Sequence, residues 1–191
     1  MKKRCAWVNP ENELYARYHD DEWGVPVHDD RTLFEMLVLE GAQAGLSWET
    51  ILKKRDNYRA AFHNFDIAAC ARLTEADEAR FMENPGIVRN RLKIRSVSIN
   101  ARAVLAIQKE YGSLNAFLWA FVDHKPLDPR YQAIGEIPTK DDLSDRISKD
   151  LKRRGMKFIG STIVFAYLQA VGIVNAHTTD CFRHRELRAR G

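Results

Sequence analysis

The sequence predicts an all-α fold, on three observations. Apolar residues recur at three- and four-residue steps, as in Leu33, Met36, Leu37 and Ala44, which is the spacing of one helix face. No convincing alternation of apolar and polar residues marks a strand. Glycines and prolines fall where helices would end, notably at Asn84-Pro85-Gly86, Gly112, Gly155 and Gly172.

Residues 1–30 are polar, aromatic and turn-rich, with Asn9-Pro10 and Val25-Pro26 as punctuation, and no helix is assigned there. Asp29 or Asp30 caps a helix that starts near Arg31. Its apolar run, Thr32 to Val38, leads into Leu39-Glu40-Gly41-Ala42-Gln43-Ala44-Gly45-Leu46-Ser47-Trp48. Glu40 shares the apolar face, so it points inward. A buried carboxylate must be hydrogen-bonded, paired or protonated, because a bare one costs several kcal/mol or more. An acid, a glycine-rich turn, an apolar tip and an aromatic plate suit a flat polar ring. A structural Glu that caps a nearby loop, beside a Trp that only packs, fits the same pattern.

Residues 49–62 read as a second helix, with Ile51, Leu52, Tyr58 and Phe62 inward. Asp66 and Thr74 each precede a short helical stretch, and Thr74-Glu75-Ala76-Asp77 resembles a capping box. The turn Asn84-Pro85-Gly86 then separates two helices, the second running from about Ile87 to Tyr111. A helix N-terminus can hold a phosphate, and Arg89, Arg91 and Lys93 lie close by. An ordinary helical hairpin with a solvated basic face is the other reading. Leu114 to Val122 forms a short aromatic helix, and residues 123–138 form a loop. Thr139 or Asp141 caps a helix whose last turn carries Lys152, Arg153 and Arg154. Ser161 to Val171 is a buried core helix. The Arg-rich tail from Phe182 to Gly191 is expected to be mobile.

With 191 residues the chain suits one domain, with room for two lobes. Its 45% hydrophobic and 29% charged residues are ordinary for a globular protein. No run approaches the ~18 apolar residues of a membrane span, and no apolar leader follows Met-Lys-Lys-Arg. Three cysteines, at 5, 70 and 181, make no disulfide framework, so a cytoplasmic protein is expected. The formal charge of +4 favours a polyanionic partner.

Cys5 and His19 lie near one end of the chain; His177 and Cys181, four positions apart, lie near the other. Two cysteines and two histidines make a closed tetrahedral set for zinc, with no open position for chemistry. His184 is a possible substitute ligand. Two unrelated Cys/His pairs, with Cys5 as a small apolar filler, remain the alternative.

Several stretches together resemble the bacterial DNA-3-methyladenine glycosylase I family. They are Arg4-Cys5-Ala6-Trp7-Val8, Tyr15 through Pro26, Leu39 through Trp48, Leu52 through Arg59, Lys152 through Gly160, and Val174-Asn175-Ala176-His177. The resemblance runs in order from about residue 4 to 181. It implies an all-α helix-hairpin-helix DNA glycosylase fold, and hydrolysis of the N-glycosidic bond of 3-methyladenine in alkylated double-stranded DNA. It implies a structural Zn2+ on Cys5, His19, His177 and Cys181. The base pocket falls on Tyr15, Tyr18, Glu40 and Trp48, with Glu40 the expected catalytic group. The DNA-penetrating tip falls on Gly45 and Leu46, and Gly86 and Arg89 lie at the hairpin that meets DNA. Three departures are plain. Val88 stands where hairpins of the wider superfamily often carry a second glycine. The ending after Cys181 is atypical. The catalytic Asp of many superfamily members is missing.

The expected mechanism follows. The damaged base is extruded from the duplex. Cations at the hairpin and at Lys152 to Arg154 hold phosphates. Leu46 wedges into the stack, Trp48 stacks on the base, and an ionised Glu40 accepts a hydrogen bond from it. A monomer is expected. A zinc-stabilised DNA-binding module without catalysis is the rival reading.

Overall fold

A computed structural model of the chain describes residues 2–188. Ten α-helices order these residues: α1 Glu13–Asp21, α2 Asp30–Gln43, α3 Trp48–Ala61, α4 Ile67–Ala71, α5 Glu75–Met82, α6 Arg91–Tyr111, α7 Leu114–Trp119, α8 Asp142–Arg153, α9 Ser161–Ala170 and α10 Phe182–Arg188. The fold is all-α; one isolated bridge, Leu127 to Val174, is the single β-type pairing among the described residues. Among the described residues, no helix is long and apolar enough to cross a membrane.

Helix α2 is the axle. It is buried without a gap from Leu33 to Ala42 and packs against α9, α3, α6 and α7. A helix covered on all sides belongs to the core. Helix α9, equally apolar, lies along it, and Tyr167 Oη donates to the Leu33 carbonyl at 3.1 Å. Asp29 caps α2, its carboxylate accepting from Thr32 N at 2.8 Å. Asp30 instead accepts from Leu114 N and Asn115 N, so adjacent aspartates start two different helices. The capping box at Thr74 and Asp77 forms as predicted, and Asp141 rather than Thr139 caps α8.

Three elements depart from the sequence-based expectation. Residues 13–21 form α1 where only turns were expected. Asn12 starts it by accepting from Tyr15 N at 3.1 Å, and its polar, aromatic composition hides the helical period. Helix α6 starts at Arg91, not Ile87. The Asn90 side chain accepts from Leu92 N and Lys93 N at 3.0 and 3.1 Å and sets that start. The tail is not mobile over residues 182–188: it forms α10, with Arg183, His184 and Leu187 buried. Arg183 Nη1 pairs with Glu186 at 2.7 Å, although the buried Arg183 Nε has no partner among the described residues, and His184 pairs with Asp128 at 2.9 Å. Residues 189–191 of the expected tail lie outside the described residues.

Candidate functional site

Helix α1, the C-terminal end of α2 and the first residue of α3 converge on one cavity of about 210 Å³. Helix α1 brings Tyr15 and Tyr18, α2 brings Glu40 and Gln43, and α3 brings Trp48. Trp7, Trp23, Ala166 and Gln169 complete the lining. The volume is below the ~300–1,000 Å³ of drug-sized sites, so it suits a single flat ring system. Its walls are aromatic pairs: Trp7 with Tyr15 at 5.1 Å, Trp7 with Trp23 at 5.0 Å, and Tyr18 with Trp48 at 5.5 Å between ring centres. The four pocket residues implied by the resemblance therefore meet. Trp7, Trp23, Gln43 and Gln169 went unassigned. Gln169 had a visible signal, a polar residue in an otherwise apolar core helix.

Two buried glutamates of α2 differ in kind. Glu35 is paired, with Arg55 Nε at 2.6 Å and Arg59 Nε at 2.9 Å. Glu40 is 5% exposed and has no hydrogen-bond or ion-pair partner among the described residues. Burial alone pushes its carboxyl up to about 8. The shift favours the neutral form, so an ionised Glu40 acceptor would have to form against the cost of burial. A neutral carboxyl offers one donor and an acceptor. Burial also raises the Tyr18 hydroxyl well above its ordinary value, with the Glu40 charge adding to the effect. The indole N–H of Trp48 is buried without an acceptor, as polar groups at binding sites often are.

The turn between α2 and α3 carries the expected tip. Gly45 takes a left-handed φ of +78°, where a side chain is strained, and Leu46 beyond it is 38% exposed. Gln43 Nε2 donates to the Leu46 carbonyl at 2.9 Å, and Ser47 caps α3.

A second turn, between α5 and α6, holds Gly86 against α3: a Cβ there would lie 2.9 Å from Asn57 Cβ. Its N–H donates to Asn84 Oδ1 at 2.8 Å. Arg89 and Arg91 are exposed, with no ion pair among the described residues. Lys93 is not a free cation; its Nζ donates to the carbonyls of Ala42 and Ala44 at 2.8 and 2.6 Å. Arg153 is held by Asp150, and Arg154 by Asp150 and Glu110. Of the expected phosphate cations in that stretch, only Lys152 is exposed and without an ion pair among the described residues.

Behind the pocket, Cys5, His19, His177 and Cys181 are buried, with their ligand atoms all within 4.8 Å of one another. Cys5 Sγ and Cys181 Sγ each lie 3.5 Å from His177 Nδ1, and Cys181 Sγ lies 3.5 Å from His19 Nε2. A tetrahedral ion with ordinary Zn–S and Zn–N bonds sets sulfur and nitrogen about 3.6 Å apart. The outer nitrogens are engaged: His19 Nδ1 with Asp20 at 2.8 Å, and His177 Nε2 with the Trp23 carbonyl at 3.0 Å. Metal-bound histidines are oriented in this way. The Cys181 thiol is held well below its usual range by Cys5 and the two imidazoles, while Cys5 is raised by the same contact and by burial. The four groups can hold a metal ion. His184, engaged with Asp128, is not among them.

The site is thus an aromatic box around one unpaired carboxyl, set in an all-helical scaffold. The family model described as "Methyladenine glycosylase" matches residues 7–184, and the chain belongs to this family. It is 48% identical over 179 residues to DNA-3-methyladenine glycosylase 1 of Escherichia coli (strain K12), covering 94% of this chain and 95% of that protein. A crystal structure of 3-methyladenine DNA glycosylase I superposes with a TM-score of 0.91 at 50% identity, over 94% of this chain and 98% of that one. A variant of 3-methyladenine DNA glycosylase I, solved in complex with 3-methyladenine, also gives 0.91, at 41% identity over 94% and 96% of the two chains.

Proposed function

We propose that this protein is a DNA repair glycosylase that hydrolyses the N-glycosidic bond of 3-methyladenine in alkylated double-stranded DNA. The observation that carries the proposal is Glu40, a buried carboxyl left without a partner in an aromatic box, beside a Glu35 that is fully paired. A buried acid with no structural partner is costly and is kept where it has a task. A DNA-binding module without catalysis gives it none.

The base enters the pocket after extrusion from the duplex, with Leu46 filling the gap and Arg89 and the Gly86 turn of a helix-hairpin-helix motif on the backbone. Tyr15, Tyr18 and Trp48 pack on the ring. An electron-rich face attracts the cationic alkylated base by about 0.5–2 kcal/mol. When the bond breaks, its electron pair passes to the purine, which leaves as a neutral base. No general acid is needed, which fits the missing Asp. Water adds to the sugar carbon left behind. A cationic ring also lowers the Glu40 pKa and favours its ionised form, which accepts from an exocyclic amino group.

Zinc is the metal we assign to Cys5, His19, His177 and Cys181. Four protein ligands leave it no water to activate, so its role is structural. The protein acts as a monomer in the cytoplasm.

The test is chromatography of bases released from methylated duplex DNA. Release of 3-methyladenine, with strong discrimination against 7-methylguanine, is expected. Bound DNA with no released base would leave the non-catalytic reading standing.

A further inference from the structure

Lys93 occupies an unusual place for a lysine. It stands in the first turn of α6, where the positive end of that helix's own dipole opposes a cation. It does not reach for solvent. Its ammonium crosses to the end of α2 and donates to the carbonyls of Ala42 and Ala44 at 2.8 and 2.6 Å. These carbonyls face out from the last turn of α2, where backbone acceptors lack helical partners and a cation is favourable. The next two residues are Gly45, with no neighbour within 4 Å of a built Cβ, and exposed Leu46. Apart from the hydrogen bonds that Leu46 exchanges with Gln43, itself at the end of α2, the tip has little packing of its own among the described residues.

The same turn that precedes α6 is pinned on its other side to α3. Lys54 Nζ donates to the Pro85 carbonyl at 2.7 Å, and Gly86 rests on Asn57. Both flanks of the Gly45-Leu46 tip are thus tied to the α5–α6 turn and the helix start that follows it: the end of α2 by Lys93 of α6, and α3 by its own Lys54 and Asn57.

We infer that Lys93 is a positioning residue that fixes the Leu46 tip relative to the α5–α6 turn, so that a duplex held at the turn meets the tip in register. The inference rests on the glycosylase reading above. Lys93 contacts neither base nor phosphate; it acts through the end of α2.

The test compares Lys93→Met, which keeps length but loses the donors, with Lys93→Arg, which keeps donors. Base release is measured on methylated duplex and on methylated single-stranded DNA. Displacing a positioning group by about an ångström costs on the order of 10–100-fold, so Lys93→Met should lose that much kcat/KM on duplex. On single strands, which need no wedge, its rate should stay within about twofold of wild type. Lys93→Arg should keep most of the duplex activity. In a Leu46→Ala background, Lys93→Met should cost little more, because the two act as one unit.

Salt dependence separates positioning from phosphate binding. A lost phosphate contact lowers the slope of log affinity against log salt by about 0.9; Lys93→Met should leave the slope unchanged. Equal losses on duplex and single strands, multiplicative losses with Leu46→Ala, or a reduced slope would each overturn the inference. If Lys93→Met does not fold, Lys93→Gln takes its place: duplex-specific loss with an unchanged slope supports the inference, and equal losses on both substrates, or no loss on either, overturn it. A wild type that releases no base from either substrate sinks the glycosylase reading, and this inference with it.

Discussion

His19 Nδ1 stands 2.8 Å from Asp20 Oδ1, and that contact decides which ring nitrogen faces the thiols. Arg4 grips the same carboxylate from behind, at 2.8–3.1 Å. Burial works to raise the Asp20 pKa, but Arg4 and His19 outweigh it and hold the carboxyl below its usual range. With Nδ1 engaged by Asp20, Nε2 is the ring nitrogen turned to the thiols, as an ion held by this cluster would require. The cluster also backs the pocket, since Trp23 lies 4.5 Å from His177 and Trp7 lies 5.2 Å from His19 between ring centres. Cys181→Ser should lose stoichiometric zinc and, if it costs about 2 kcal/mol, drop Tm by roughly 4–8 °C. Asp20→Asn should weaken zinc by about 10–100-fold without removing a ligand. Cys70→Ala should leave zinc content unchanged, because its thiol donates to the Phe62 carbonyl far from the cluster. Metal analysis and calorimetry check all three.

Leu46 separates a wedge from a core residue. At 38% exposed it should tolerate Leu46→Ala at a stability cost of no more than about 0.5–1 kcal/mol. Capture of duplex lesions should weaken at the same time. A loss of ~2–5 kcal/mol in denaturant melts would mark a buried leucine and rule out the wedge.

Much of this was legible in the sequence, because helix signals are local. The run of α2, the capping box of α5 and the core helix α9 rest on residues three or four apart. What stayed hidden depends on partners distant in the chain. Lys93 and Arg154 read as phosphate cations until their acceptors, Ala42 and Glu110, come into view. Arg183 and His184 read as tail charges, and only Asp128 makes sense of a buried His184. Helix α1 was masked for another reason. Its inward face carries Tyr18 and His19, polar by composition yet buried by the pocket and the Cys/His cluster.

Arg89 is the complement of Lys93. It is exposed and carries no ion pair among the described residues, so it is available to phosphate. Arg89→Ala should weaken binding to any duplex sequence alike and lower the salt slope by about 1. Titrations at several salt concentrations provide the check. An unchanged slope would remove Arg89 from the DNA interface.

The unpaired Glu40 carries a stability cost with a definite sign. Its pKa is about 8 in the folded protein against 4.5 when free, so the folded state holds a proton that the unfolded state has lost. Stability from this group is full below about pH 4.5 and falls as pH rises towards 8. Glu40→Gln keeps the shape and cannot ionise. The variant should therefore gain little over wild type near pH 5 and on the order of a few kcal/mol at pH 8, levelling above that. Paired melts across pH check this, since both proteins share the metal site and its own pH dependence cancels. A pH-independent difference would mean that Glu40 has a partner or is open to water.

The same carboxyl should shape the rate. If the ionised form is the one that accepts from the exocyclic amino group, the free enzyme must lose the Glu40 proton before it can use the bond. The pH dependence of kcat/KM reports ionisations of the free enzyme. Release of 3-methyladenine should therefore rise with pH and level near pH 8, the value set by burial. A charged acceptor makes roughly twice the hydrogen bond of a neutral one, so Glu40→Gln should be slower on the plateau. Its profile should also lose the rising limb, because an amide has no proton to give up over this range. The comparison separates two roles for one residue. A slower variant that keeps the wild-type limb would place the titrating group elsewhere, with Glu40 acting by shape alone. A wild-type rate that instead falls as pH passes about 8 would mean that the protonated carboxyl is the working form and donates to a ring nitrogen, and a flat profile would mean that the Glu40 charge does not set the rate.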